Sequence, residues 1–242
     1  MQFRSDSYAP RIQRARTAPF ARALTLLTSV ALLSATALAC DDANGQKNSS
    51  ESERAGGTEE IVLAPTATRG QAVFAGGCFW CMEPPFEKLD GVKAVYSGYT
   101  GGTEIAPTYR AVSSGQTGHA EAVLVEYDPA KITYEKLLFT YWRSINPTQV
   151  NGQFYDVGPQ YRTAIFYLNA GQKKLAEVSK QELADSGKFK AKIAVQIVPA
   201  TRFWKAEEYH QDYYKKNPAH YKQYATGSGR TGYLEQLWGP KK

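Results

Sequence analysis

The sequence predicts a single α/β domain with a mixed β-sheet, spanning residues 67–242. Two observations predict this class: strand and helix patterns are interspersed along the chain, and they recur too irregularly for a barrel of strand–helix repeats. The composition of the 242 residues, 43% hydrophobic and 21% charged, is that of a globular protein. It excludes collagen-like, coiled-coil and wholly disordered chains.

The sequence of the first half of the domain predicts three strands and one helix. An apolar run at residues 71–75 ends in two glycines, which is typical of a strand followed by a tight turn. Apolar side chains at helical spacing predict a helix at 78–89, with its pair of prolines near the first turn, where a missing N–H costs least. Alternation predicts strands at 92–99 and 120–127, and the glycine-rich stretch 100–118 between them predicts a loop.

The second half predicts further elements of both kinds. Residues 133–144 place apolar side chains on one helical stripe, and Thr133 is suited to cap this helix. The same patterns predict, in order, a loop at 146–159, a strand at 161–168, a helix at 171–186, a strand at 193–198, a helix at 206–216 and an irregular tail at 225–242.

The N-terminal residues 1–39 have the pattern of an export signal. Arginines precede an uncharged run at residues 23–39 that is rich in Leu, Ala and Val and ends in Ala37-Leu38-Ala39-Cys40. Three outcomes stay open: acylation of Cys40 as a lipid anchor, cleavage after Ala39 without acylation, or an uncleaved anchor. Each of them predicts an extracytoplasmic domain, in the periplasm or anchored to a membrane.

Residues 40–66 predict a flexible acidic linker. They are rich in Asp, Asn, Ser, Gly and Glu, with almost nothing apolar before Ile61. Such a segment cannot bury enough apolar surface to offset the entropy lost on ordering. We therefore expect it to tether the domain to the signal segment.

Charge and cysteine content exclude several classes of protein. The net charge is +6, yet no block of Lys and Arg of the kind that binds phosphate backbones occurs, so we expect no nucleic-acid partner. Three cysteines are too few for a disulfide-dense scaffold or a four-cysteine zinc site. No feature of the sequence requires a metal ion or an organic cofactor, and we expect none.

The run from Gly76 to Glu83 carries the clearest chemical signal. Cys78 follows the predicted strand and turn, so it lies at a helix N-terminus, where unpaired N–H groups stabilise a thiolate and lower the thiol pKa. Cys81 lies about one helical turn further, close enough for a disulfide after modest rearrangement. The alternatives are two buried structural cysteines or a general thiol–disulfide oxidoreductase.

The run Gly76-Gly77-Cys78-Phe79-Trp80 resembles the signature of the methionine sulfoxide reductase A family. Four further blocks resemble the family in order and spacing. They are PTY at 107–109, GQTGHAE at 115–121, DVGPQYR at 156–162 and AEEYHQ at 206–211. Together the matches cover roughly residues 70–224, and the resemblance implies a two-layer sandwich around a mixed sheet, with long surface loops.

The resemblance also implies a role for each of seven side chains. These are Cys78 as the nucleophile, Phe79 and Trp80 as the aromatic wall that holds the substrate methyl group, Glu121 as the acid near the sulfoxide oxygen, Tyr109 and Tyr161 as phenols that hydrogen-bond that oxygen, and Asp156 as an orienting acid. The chemistry requires such a set, because a sulfoxide sulfur is a poor electrophile until its oxygen accepts a proton or strong hydrogen bonds.

The family mechanism implies release of methionine and a sulfenic acid on Cys78. Many family members carry resolving cysteines in the C-terminal tail, and this tail has none. The resemblance therefore implies a Cys78–Cys81 disulfide that a thioredoxin-like donor recycles, with oxidised proteins carrying methionine S-sulfoxide as substrates and protein repair as the role. A non-catalytic module that binds Met-rich segments is the alternative outside the enzymes, and it predicts binding that survives Cys78→Ser.

Overall fold

A seven-stranded mixed sheet forms the centre of the fold. The computed structural model describes residues 58–239, which belong to one compact unit. The strands are β1 (Glu59–Ile61), β2 (Gly70–Gly76), β3 (Val92–Thr100), β4 (Ala120–Tyr127), β7 (Thr163–Tyr167), β8 (Gln196–Pro199) and β9 (Phe203–Lys205), and β5 (Gly152–Gln153) and β6 (Asp156–Val157) form a separate small hairpin. The order across the sheet is β1-β9-β3-β4-β2-β7-β8, antiparallel except between β7 and β8.

Seven α-helices occur within the described residues. They are α1 (Phe79–Glu87), α2 (Tyr109–Ser113), α3 (Tyr134–Trp142), α4 (Ala170–Asp185), α5 (Tyr213–Lys216), α6 (Pro218–Gly227) and α7 (Arg230–Trp238). Thr133 caps α3 as expected, because its hydroxyl accepts a hydrogen bond from the Lys136 N–H. No helix of residues 58–239 is both long and apolar enough to cross a bilayer.

The large core lies on one face of the sheet. There Phe86 of α1, Leu137 of α3 and Ala176 of α4 pack with inward side chains of the strands, such as Val123 and Ile165. The smaller cluster on the opposite face consists of strand and loop residues. Since the apolar side chains of α1, α3 and α4 lie in the first of these clusters, the predicted two-layer α/β fold is confirmed.

The N-terminal edge of the domain begins earlier than the sequence predicts. Residues 59–61 fall within the predicted linker 40–66, yet they form β1 and pair with β9. The Thr58 hydroxyl also donates to the Pro107 carbonyl oxygen. The predicted signal peptide at 1–39 and Cys40 lie outside the described residues.

The tail 225–242 is predicted to be irregular, but its described residues, 225–239, are largely helical. It contains the end of α6 and the whole of α7. The prediction was wrong because it weighed the glycines, whereas a buried side chain of α7, Arg230, fixes this segment on the domain.

Three other local predictions were also wrong. The loop 100–118 contains the short helix α2. The helix predicted at 206–216 is broken at Asp212, which has a φ of 54°, between a 3₁₀ turn and α5. The two prolines of α1, Pro84 and Pro85, lie in the middle of the helix and not in its first turn. Because proline has no N–H to donate, α1 lacks two of its backbone hydrogen bonds and depends on packing.

Candidate active site

A sharp strand-to-helix turn places Cys78 at the N-terminus of α1. β2 ends at Gly76, and Gly77 then adopts a φ of 83°, which glycine tolerates without strain. A Cβ atom at Gly77 would lie 2.5 Å from Cβ of Gln153 and 2.8 Å from Nη2 of Arg230. Both the conformation and the close packing therefore require glycine before the cysteine.

The Cys78 thiol is only 6% exposed. Burial raises its pKa well above the usual value, and the neighbouring Cys81 and Glu121 raise it further. The predicted lowering of this pKa by the helix N-terminus is therefore wrong for the reduced protein, because the cost of desolvating a thiolate outweighs the helix dipole. Cys78 rests as a thiol and needs a base before it can attack.

Cys81 lies beside Cys78 inside the first turn of α1. Both cysteines are buried and reduced, and their thiols share a hydrogen bond. The Cys81 N–H also donates to the Cys78 carbonyl oxygen over 3.1 Å. The pair is therefore close enough to react with each other once one of them is oxidised.

Glu121 projects from β4 toward the turn that carries Cys78. It shares the inward face of the strand with Val123 and Val125 because side chains alternate along β4. Its Oε2 accepts the Phe79 N–H over 3.1 Å, and only 2% of the residue is exposed. Burial raises the pKa of Glu121 to about 8, so the group is a protonated acid at neutral pH.

Two phenols and a second acid surround the same place. Tyr109 begins α2, and Tyr161 ends the 3₁₀ turn that follows β6. Burial raises the pKa of each phenol, so both remain hydrogen-bond donors. Asp156 of β6 is close enough to contribute to both shifts. The structure thus brings the predicted polar site residues together.

The two predicted aromatic residues differ in their exposure. Phe79 is almost wholly buried and packs on Tyr99 and His210. Trp80 is half-buried; its ring stacks on Tyr213 at 3.7 Å, and its indole N–H donates to His210 Nδ1 over 3.1 Å. Of the two aromatic side chains, Trp80 is therefore the one that remains partly accessible, whereas Phe79 is enclosed.

Sequence reasoning gave no role to Glu207, although it lies in a matched block. Its Oε1 accepts the Tyr109 N–H over 2.8 Å, and its Oε2 accepts the Tyr99 hydroxyl over 2.8 Å. Glu207 therefore fixes the start of α2 and, with it, one phenol of the site. His210 makes structural contacts, as expected, and burial lowers its pKa to about 4, which keeps its imidazole neutral.

Two site residues from the C-terminal helices were missed altogether. Tyr224 of α6 donates its hydroxyl to Asp156 Oδ2 over 2.6 Å and shares a hydrogen bond with Cys78. Arg230 of α7, 5% exposed, donates to the carbonyl oxygens of Gly76 over 2.8 Å and Ser144 over 2.6 Å. A tyrosine among 16 and an arginine in a glycine-rich tail give no local signal of such roles.

Comparison with known proteins places this site in a family. The family model described as peptide methionine sulfoxide reductase matches residues 70–242. The chain is 57% identical over 173 residues to the peptide methionine sulfoxide reductase MsrA of Bacillus licheniformis, covering 72% of this chain and 96% of that protein. It is 55% identical over 170 residues to MsrA of Bacillus subtilis, covering 70% and 96%.

Solved structures show the same fold. Reduced Mxr1 of Saccharomyces cerevisiae superimposes with a TM-score of 0.59 at 33% identity, covering 66% of this chain and 91% of that one. Methionine sulfoxide reductase A of Corynebacterium diphtheriae gives a TM-score of 0.57 at 28% identity, covering 72% and 92%. The buried thiol beside a protonated carboxyl and two phenols is thus found in a chain that belongs to the peptide methionine sulfoxide reductase family, whose model spans all of these residues.

Proposed function

We propose that the chain reduces methionine S-sulfoxide in oxidised proteins, with Cys78 as the nucleophile. The observation that carries the assignment of roles is the convergence of a protonated carboxyl, Glu121, and two protonated phenols on a buried thiol. A general thiol–disulfide exchanger has no use for an acid of raised pKa at this place, whereas a sulfoxide oxygen needs one.

The reaction begins with the sulfoxide oxygen hydrogen-bonded to Glu121, Tyr109 and Tyr161. The Cys78 thiolate attacks the sulfur, and the oxygen takes the proton of Glu121. The S–O bond of the substrate then breaks, and the hydroxyl group ends on the sulfur of Cys78. The products are methionine, reduced by two electrons, and a sulfenic acid on Cys78. The accessible face of Trp80 packs on the substrate methyl group and so favours one epimer.

Cys81 then resolves the sulfenic acid. Its sulfur attacks that of Cys78, a disulfide forms, and one water molecule leaves with the hydroxyl oxygen and the thiol proton. A thioredoxin-like dithiol returns both cysteines to thiols and becomes a disulfide itself. The shared hydrogen bond of the two thiols supports this pairing.

A chiral assay tests the proposed substrate. The purified protein is incubated with a peptide carrying racemic methionine sulfoxide and with dithiothreitol, and the remaining epimers are separated by chiral chromatography. We expect the S form alone to disappear, and Cys78→Ser to abolish the reaction. Consumption of neither epimer, with rapid reduction of a disulfide substrate, would favour a general thiol–disulfide oxidoreductase.

We propose further that the enzyme acts outside the cytoplasm on a lipid anchor at Cys40. The support is the arginine-containing start, the apolar run at 23–39 and the small residues before Cys40. Cells that express the full chain are grown with labelled palmitate. Label that is lost in Cys40→Ala supports the anchor, and label that persists in this variant contradicts it.

A further inference from the structure

Tyr224 connects the nucleophile to a carboxylate. Its hydroxyl donates to Asp156 Oδ2 over 2.6 Å and shares a hydrogen bond with Cys78. The tyrosine lies on α6, whereas the other two residues lie at the start of α1 and on β6. Three separate elements thus converge on one chain of polar atoms.

The thiol of Cys78 needs a proton acceptor that its other neighbours do not provide. Glu121 is protonated near neutral pH and is the acid for the sulfoxide oxygen. Cys81 is a buried thiol, and Tyr109 and Tyr161 keep their protons in order to donate hydrogen bonds to the sulfoxide oxygen. None of these groups can accept the thiol proton of Cys78 and still perform its own role in the proposed reaction.

Asp156 is the carboxylate at the end of this hydrogen-bonded chain. Burial raises its pKa, while the Tyr224 hydroxyl and the positive charge of Arg230 oppose that rise. Asp156 is only partly buried, so it can return a proton to water after each turnover. The other titratable groups that face Asp156 across the site are the protonated carboxyl of Glu121 and the phenols of Tyr109 and Tyr161.

We propose that Tyr224 is a catalytic residue that relays the thiol proton of Cys78 to Asp156. The S–H bond breaks as the phenol oxygen takes the proton, and the phenol O–H bond breaks as Asp156 Oδ2 takes the second proton. A thiolate and a carboxylic acid remain, Tyr224 is unchanged, and no electron is transferred. The relay rests on the proposed role of Cys78 and generates the thiolate that attacks the sulfoxide.

The ring of Tyr224 is held independently of its hydroxyl. It packs edge-on against Trp80, with 5.7 Å between ring centroids and 78° between planes. Tyr224→Phe keeps this packing and removes only the relay atom. Asp156→Asn keeps an oxygen that accepts from Tyr224 but removes the base. The two substitutions therefore interrupt the same relay at different atoms.

The test uses the full chain with Cys81→Ser, so that Cys78 is the only thiol of the pair. Tyr224→Phe, Asp156→Asn and the double variant are compared in this background, with Tyr233→Phe as the control. Tyr233 lies on α7, where its ring packs on Phe154. Two quantities are measured: the rate of the first methionine release without reductant, and the pH dependence of iodoacetamide alkylation on the peptide that contains Cys78.

We expect Tyr224→Phe to slow the first methionine release about 100-fold, which is the lower range for a positioned acid–base group. The alkylation midpoint of Cys78 shifts to higher pH, since the phenol that favours the thiolate is gone. Asp156→Asn also slows release, and the double variant is no slower than the slower single variant, because one relay is lost once. Tyr233→Phe changes neither quantity.

An unchanged alkylation midpoint in Tyr224→Phe would overturn the relay, even if release became slower, because a packing defect alone lowers a rate without moving the thiol titration. Additive effects of the two substitutions on the release rate would overturn it as well. Failure of the proposed function is distinguishable: the Cys81→Ser background itself would then release no methionine, and the alkylation profiles would still decide the relay.

Discussion

At the scale of single residues, burial sets the chemistry of the site. Glu121 and Cys78 are both almost inaccessible, and desolvation raises the pKa of each. For Glu121 the result is a protonated carboxyl at neutral pH, ready to donate to a developing negative charge on oxygen. For Cys78 it is a thiol that stays unreactive until its proton is removed, which limits its oxidation in the absence of substrate.

Glu121→Gln is expected to lower kcat by about 100-fold or more, because the proton donor for the sulfoxide oxygen is lost. In the native protein the rate of the chemical step falls above about pH 8, because Glu121 acts in its protonated form and has a pKa of about 8. This fall disappears in the variant. Stopped-flow methionine release across this pH range measures both effects.

Glu126→Gln is the matched control for this substitution. Glu126 lies on the same strand, where its Oε1 accepts from Gln71 Nε2 over 3.0 Å. Its substitution leaves the rate unchanged. An equal loss of rate in both variants would show that charge or strand stability, not proton donation, is responsible.

Gly77→Ala tests the turn that presents Cys78. The new methyl group would meet Gln153 and Arg230 in a conformation that only glycine adopts freely. Gly187 has a φ of 67° but nothing within 4 Å of its added Cβ, so Gly187→Ala measures the cost of the conformation alone. We expect Gly77→Ala to destabilise the protein by about 2 kcal/mol more than this control in urea unfolding, because of the overlap. Equal costs would contradict the close packing at the turn.

At the scale of elements, α6 and α7 complete the site although nothing in their sequence predicts it. Their apolar residues form no clear stripe, and the segment is rich in glycine. What fixes them is Arg230, whose guanidinium reaches two buried carbonyl oxygens, one of them in the turn before Cys78. Contacts between residues this far apart in the chain have no periodic pattern to reveal them.

The central strands could be predicted because their patterns are local. β2 is an apolar run that ends in glycine, and β4 is an alternating run that stops before Pro129, so a short window of sequence indicates both strands. β1 and β9 have three residues each; β1 pairs with β9, and β9 also pairs with β3. Such short strands depend on partners that the local sequence does not show.

Arg230→Met is expected to destabilise the protein by about 3 kcal/mol, because two buried carbonyl oxygens lose a charged donor. Loss of the Arg230 hydrogen bonds also displaces Tyr224, so methionine release slows. Lys222→Met, on the exposed side of α6, is the control and leaves both stability and rate unchanged. Urea unfolding measures the first effect, and a stability equal to that of the native protein would contradict the anchoring role.

At the scale of the whole molecule, the site joins five parts of the chain that meet only after folding. The order and spacing of the matched blocks allowed Cys78, Glu121 and the two phenols to be predicted, and the structure brings them together. Tyr224 could not be predicted, because it lies beyond those blocks. The raised pKa of Cys78 could not be predicted either, since the depth of burial depends on the whole fold.

A buried acid outside the site, Glu83, makes the stability of the protein depend on pH. Glu83 is fully buried in α1, and burial raises its pKa from 4.5 to about 7. The folded state therefore holds this proton more tightly than the unfolded state, so the stabilisation is complete below pH 4.5 and is lost as the pH rises to about 7. The loss amounts to about 3 kcal/mol for this group.

Glu83→Gln is expected to reduce the slope of stability against pH in this window by the share of one proton, because glutamine carries no proton to lose. Urea unfolding at steps across the window measures it, with Glu177→Gln on the exposed surface of α4 as the control. The control keeps the native slope. A native slope in Glu83→Gln would contradict the assignment of this proton to Glu83.

The central claim is that Cys78 takes the sulfoxide oxygen and Cys81 then closes the disulfide. One equivalent of a methionine sulfoxide peptide is added to the reduced protein without reductant, and mass spectrometry maps the cysteines while chromatography counts the methionine formed. We predict one methionine for each protein molecule and a disulfide between Cys78 and Cys81. Released methionine with a stable sulfenic acid on Cys78 and a free Cys81 thiol would contradict the resolving step, and no methionine with both thiols intact would contradict the nucleophile.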